Sequence, residues 1–259
     1  MKTVLVLILL FITTWWIAAM PVNYRAGGGT TNYELINLSE KLLYAVKTDS
    51  PTDSIEKVLA FFNFRDLLTG LNNDTARKTF WINIYNAWYQ LLATRDKKSK
   101  PEIFTGRFKY IAGKSFSLDD IEHGILRKYR SKYSMGYLPQ FLPAKRIKQL
   151  AVSTIDYRIH FALNCGARSC PPIAFYSYEK LEQQLSMAAA SFLKSETSVD
   201  TVKKKLTTSK ILQWFKGDFG GKKGINTILS KTLQKDFSDY SISFTDYDWS
   251  ARLKNFTKE

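Results

Sequence analysis

The chain has 259 residues, 45% of them hydrophobic and 14% aromatic, a balance that suits a buried core and excludes intrinsic disorder. Its 38 basic and 23 acidic residues give a formal charge of +15, which favours an anionic surface or a peptide substrate as partner. The lysines are scattered and no nucleic-acid-binding motif accompanies them, so nucleic acid is not expected as a partner.

In chain order, residues 1–20 place one lysine ahead of an apolar run from Val4 to Ala19, the pattern of an export signal. The run is shorter than the about 20 residues of a spanning helix, and IAAM supplies small residues for cleavage. The alternative is a retained N-terminal membrane anchor, with Trp15 and Trp16 at the interface. Either way the protein is expected outside the cytoplasm, periplasmic or extracellular, and to meet a membrane only through this segment if it stays uncleaved. No cysteine lies near it, which excludes a lipid anchor on cysteine. Residues 21–31, with RAGGG, read as a flexible linker, and 32–259 as one domain.

Within that domain, residues 33–48 and 53–68 repeat apolar side chains three and four apart, which predicts two amphipathic helices. The strongest helix is 74–94, DTARKTFWINIYNAWYQLLAT, whose wide apolar stripe suits a central, largely buried position. Asn83 and Asn86 sit among its aromatics, as structural clamps or site residues. A short hairpin is expected at 108–116 around Gly113, and then a helix from Ser117 to Arg127 opened by a capping box with Asp120. Alternation over 157–163 predicts a central strand, ended by Gly166 and Pro171. Further helices are expected at 178–194, 209–216 and 225–236, with strands at 199–206 and 241–244. Helices outnumber strands, and the predicted fold class is α+β: a mainly helical single domain packed around a small β-sheet.

Four blocks, FWINIYNA, SLDDIEHGILR, RIHFALNCGARSCPP and the terminal YDWS, span Phe80 to Ser250 in this order. Together they resemble the domain of unknown function 547 family, DUF547. The resemblance implies one domain common in exported bacterial proteins and fused to coiled coils in plants. It implies no reaction.

Function therefore rests on the residues. The two histidines, His123 and His160, and the two cysteines, Cys165 and Cys170, all fall in these blocks. One reading is a Cys165–Cys170 disulfide, which export would permit, shaping a loop in a non-catalytic binding domain. The second is a thiol nucleophile: Cys165 attacks a peptide or amide bond, a histidine is its base, and Asn164, Asn86 or Glu122 orients that base, as in papain-like hydrolases. His160, on a strand, would project opposite Cys165, so His123 is the preferred base. Arg158 and Arg168 suit a carboxylate or phosphate clamp, and Asn86, Ser169 and Cys170 complete the candidate substrate contacts. The third reading, zinc held by both histidines and both cysteines, has ligand spacings outside the strong patterns, so neither metal nor cofactor is expected. WFKGDFGGKKG at 214–224 lacks P-loop order and reads as a loop between helices, while FTDYDWSARLKN is expected to pin the last strand, with Asp246 and Asp248 as candidates for lining the site.

Overall fold

The computed structural model describes residues 30–257. The export signal or anchor expected at 1–20 and most of the 21–31 linker lie outside them. Among the described residues, no helix is long and apolar enough to cross a membrane.

Twenty-one residues without glycine or proline form helix α4, Asp74–Thr94, capped by the Asn73 side chain, which accepts from the Ala76 amide. The expected stripe widens into complete enclosure, with every residue from Lys78 to Leu92 buried. The amide nitrogens of its two buried asparagines are satisfied by backbone. Asn83 Nδ2 donates to the Tyr176 carbonyl at 2.8 Å, and Asn86 Nδ2 to the Ala162 carbonyl at 2.9 Å. Both asparagines therefore clamp the chain that crosses α4, and polar groups in the centre of the core fix loops rather than face a ligand.

Helix α1, Tyr33–Lys47, packs along α4 and is capped by Asn32. The single helix expected at 53–68 divides into α2, Asp53–Phe61, and α3, Phe64–Gly70. Asn63 is the cause: its side chain accepts from the amides of Arg65 and Asp66, an N-cap that competes with a continuous helix. After α5, Glu102–Thr105, the expected hairpin forms from β1, Lys109–Ile111, and β2, Lys114–Phe116. Ala112 and Gly113 turn it, both at positive φ, as the tight hairpin turn requires.

The capping box forms as expected, Asp120 N to Ser117 Oγ at 3.0 Å and Ser117 N to Asp120 Oδ2 at 3.2 Å. The turns that follow, Asp120–Leu126, are a π-helix rather than an α-helix. After α6, Lys145–Leu150, the central strand expected at 157–163 is instead a 3-10 turn, Tyr157–Phe161, capped by the Asp156 side chain. Burial here does not alternate, because Ile159 through Asn164 are all enclosed and the polar members are hydrogen-bonded, His160 to the Asp218 side chain and the Asn164 side chain to backbone. Period-two hydrophobicity reported burial without a neighbouring strand to pair with.

Helix α7, Leu181–Glu196, then leads to a three-stranded sheet of β3, Ser198–Asp200, β4, Lys205–Thr208, and β5, Ser241–Phe244. β4 is central, antiparallel to β3 and parallel to β5. The strand expected at 199–206 is thus a hairpin, and the helices expected at 209–216 and 225–236 are α8, Ile211–Trp214, and α9, Gly221–Leu233. Phe161, Phe192, Leu212, Phe219 and Leu229 form a second apolar cluster under this sheet, beside the main core around α4. The fold is α+β and mainly helical, with two small sheets in place of one.

Trp81 and Trp88 are 0% and 2% exposed. Replacing either by Ala should cost about 3 to 5 kcal/mol, as large-to-small core changes do, and denaturant midpoints will measure it. A loss below about 1 kcal/mol would contradict their placement.

Candidate functional site

Segments distant in sequence meet at one cavity of about 280 Å³, near the lower end of the range for small-ligand sites. The π-helix supplies Asp119 at its edge, Glu122 and His123, and the 3-10 turn supplies His160. The cysteine loop supplies Cys165 and Cys170, and Trp214, Phe215, Tyr247 and Trp249 close the rim. A π-helix is wider than an α-helix and recurs at functional sites, because the extra residue turns side chains inward that α geometry would space apart.

Behind the cavity stands a buried charge network. Asp218 Oδ2 accepts from Arg127 Nε at 2.6 Å and from His160 Nε2 at 2.9 Å, with the Arg127 and Asp218 side chains fully enclosed. Phe215 covers it, stacked on the His160 ring at 4.0 Å and lying 4.5 Å from the Arg127 guanidinium. Burial raises the Asp218 carboxyl, yet the hydrogen bonds from His160 and Arg127 bring it below the ordinary carboxylate value. Burial pushes His160 down to about 4 despite its acidic partner. Since the carboxylate can only accept, Nε2 of His160 carries the proton and Nδ1 is its free acceptor.

His123 is set by the same arginine. Arg127 Nη1 lies 2.7 Å from His123 Nδ1, and a guanidinium has only donors, so Nδ1 accepts and the proton sits on Nε2. Burial and then the Arg127 charge hold the His123 pKa well below the ordinary value, so the ring is neutral. Its lone pair is occupied, which corrects the expectation that His123 is the base: it is an N–H donor, 3.6 Å from Asp119 Oδ1. Asp119 is itself raised by burial although Lys132 binds it. Glu122 accepts from the Tyr85 hydroxyl at 3.0 Å, and burial, with Asp119 nearby and Arg127 opposing, lifts its pKa to about 7.

The cysteines are joined. Cys165 and Cys170 form a disulfide with Cα atoms 6.1 Å apart, so Cys165 carries no thiolate in this form. Gly166 allows the turn at φ +69°, where a Cβ would come within 2.3 Å of the Tyr89 ring. The Tyr247 hydroxyl sits 3.3 and 3.1 Å from the two sulfurs. His160 does not project away from Cys165 as a strand would require; both line the same cavity.

Several sequence candidates lie elsewhere. Asn164 is buried and closes the loop by donating to the Pro171 carbonyl at 2.6 Å and accepting from Gly166 N, so it orients no imidazole. Asn86 binds Ala162 and the Asn164 amide. Arg158 is tied to Asp156 and Glu182, outside the cavity. Arg168 and Ser169 hold the C-terminal segment through Ser250 and Asp248. Asp246 is exposed and Asp248 caps Ser250 N, while Tyr247 and Trp249 between and beside them are the residues that face the site. Among the described residues no group of histidine, cysteine and carboxylate side chains is arranged to hold a metal ion. Sequence reasoning missed Asp218, Phe215 and Tyr85. The signal for Asp218 was present, a single acid between Phe215 and Phe219 in a stretch read as a loop.

Residues 68–193 match the family described as "Protein of unknown function, DUF547". Over this segment the chain is similar to the DUF547 family. The matched segment contains α4, the π-helix, the 3-10 turn and the cysteine loop, whereas Tyr247 and Trp249 at the rim and Asp218 behind the cavity come from outside it. No curated protein and no solved structure matches the chain.

Glu122 has a stability consequence. Its folded pKa is raised from 4.5 to about 7, so the native state holds a proton that the unfolded chain releases between these values. The resulting stabilisation is present below pH 4.5 and is lost as pH rises through 7. Wild type should therefore lose about 2 to 3 kcal/mol relative to Glu122→Gln between pH 4.5 and 7, at 1.36 kcal/mol per unit. Urea unfolding across that window would show it, and parallel curves for the two proteins would contradict it.

Proposed function

We propose that the cavity is the active site of a hydrolase or acyl transferase acting on a peptide or amide bond, with Glu122 as the proton-transfer group. The observation that carries this reading is a carboxyl titrating near neutrality inside a cavity that also presents the His123 Nε2 proton and the Tyr85 hydroxyl. At pH 7 such a carboxyl is divided between both forms, which suits a group that must take a proton and return it. In hydrolysis, a water oxygen bonds to the carbonyl carbon while its proton passes to Glu122. His123 Nε2–H donates to the developing oxyanion. The C–N bond then breaks, and the proton on Glu122 goes to the departing amine. Trp214, Tyr247 and Trp249 at the rim offer aromatic surface for the acyl side chain.

A second reading is favoured by the sulfurs lying in the same wall as His160. If a dithiol reductant opens the disulfide, Cys165 becomes the nucleophile and His160, oriented by Asp218, its base through Nδ1. The export expected from residues 1–20 argues for the closed form, in which the loop shapes the pocket of a binding domain.

A panel of peptide p-nitroanilides and p-nitrophenyl esters, assayed with and without dithiothreitol, separates these. The Glu122 reading expects turnover without reductant, kcat/KM rising through about pH 7, and loss of about 100-fold or more in Glu122→Gln, within the range of general acid–base contributions. Turnover that needs reductant and disappears in Cys165→Ser, with Glu122→Gln active, establishes the thiol route. Turnover in neither condition, with ligands still binding the cavity, leaves a binding domain.

A further inference from the structure

Residues 124–155 contain seven basic residues and no acidic one. Inside this stretch, the chain between the π-helix and α6 turns its apolar side chains outward. Of the sixteen large apolar side chains exposed among the described residues, six fall within ten positions: Tyr133, Met135, Tyr137, Leu138, Phe141 and Leu142. Phe141 is 93% exposed and Leu142 78%, so neither contributes to the core. Burying a side chain of this size is worth about 1.5 to 3 kcal/mol, and a cluster left in water is the usual mark of an interaction surface.

The loop is built to hold them there. Ser131 N donates to the Leu138 carbonyl at 2.9 Å and Gln140 N to the Tyr129 carbonyl at 2.6 Å, closing a hairpin-like frame. Gly136 sits at φ +84° against Asp218, where a Cβ would lie 2.3 Å from Oδ1, and Gly217 N donates to the Met135 carbonyl at 2.7 Å. The protruding loop is therefore braced on the residue that holds His160 and Arg127. At its base, Lys145 and Lys148 are exposed, while Lys132 is paired with Asp119 on the cavity wall and Arg146 with Asp120.

We propose that residues 133–142 dock the protein onto an anionic lipid bilayer, inserting Tyr137, Leu138, Phe141 and Leu142 at the interface while Lys145 and Lys148 meet the headgroups. The combination decides the occupant. Aromatic and aliphatic side chains flanked by lysines fit the boundary between acyl chains and anionic headgroups. A second copy of the chain would bring the same acid-free basic stretch against itself, and the net charge of +15 opposes that. Docking through this loop would also set the cavity, whose wall includes Lys132, close to the membrane plane.

Hydrogen exchange of the full chain reads the loop locally, whatever residues 1–20 do. With phosphatidylglycerol vesicles, amides of 133–142 should become protected; with phosphatidylcholine vesicles they should not. Phe141→Ser with Leu142→Ser should abolish that protection without lowering Tm, because both side chains are in solvent in the free protein. Lys145→Gln and Lys148→Gln should each raise the lipid concentration for half protection about fivefold, the equivalent of about 1 kcal/mol per lysine. Absence of protection on anionic vesicles, equal protection on both lipids, or lipid-independent protection that grows with protein concentration overturns the proposal.

Discussion

Asp218 accepts from Arg127 and from His160 within a space that water does not reach, and three parts of the chain are held together at that carboxylate. Arg127 ends the π-helix, His160 belongs to the 3-10 turn, and Asp218 precedes α9. A buried ion pair gains little over well-packed apolar groups, yet removal of one partner leaves an uncompensated charge at about 3 to 5 kcal/mol. The network therefore acts as a constraint on register: the C-terminal segment must place one acid where Arg127, His160 and Phe215 can meet it. Once that is satisfied, a guanidinium that can only donate makes His123 neutral with its proton on Nε2, and a carboxylate that can only accept puts a proton on His160 Nε2, while burial keeps the His160 ring neutral.

The same constraint explains the division of labour in the cavity. Arg127 neutralises Asp218 and occupies the His123 lone pair, leaving Glu122 without a full counter-ion, its nearest hydrogen bond coming from the uncharged Tyr85 hydroxyl. Burial then dominates, and this carboxyl rises towards neutrality while Asp218, a short distance behind it in the fold, stays ionised. The cysteine loop forms a wall whose geometry is fixed by Asn164, Asn86, Gly166 and the disulfide, so the amides that sequence reading assigned to orienting the base or contacting substrate serve that wall instead.

Local chemistry was legible in the sequence wherever one segment decides its own structure. Helix α4 runs over the expected residues, the hairpin turns at Gly113, and Ser117 and Asp120 form their box. Apart from the local Asn63 cap that splits the helix expected at 53–68, the readings that failed depended on neighbours. Residues 157–163 alternate like a strand, but no strand lies beside them, and the partners of Arg158 and His160 come from Glu182 and Asp218. In the candidate site, Glu122, His123, His160 and the cysteines were identifiable as chemistry-bearing residues in short blocks. Asp218 and Tyr85 were not, since one looked like a loop acid and the other like a core aromatic until the fold placed them beside His160 and Glu122. His123 was identifiable as a site residue but not in its role, which depends on an arginine one turn away donating to its Nδ1.

The chain has only two histidines, so their ring nitrogens can be observed directly by nitrogen-15 correlation spectroscopy of the labelled protein at pH 7. The buried network predicts two neutral imidazoles, each locked with its proton on Nε2 and its lone pair on Nδ1. An imidazolium at either position, or exchange-averaged nitrogens showing both tautomers, would contradict it.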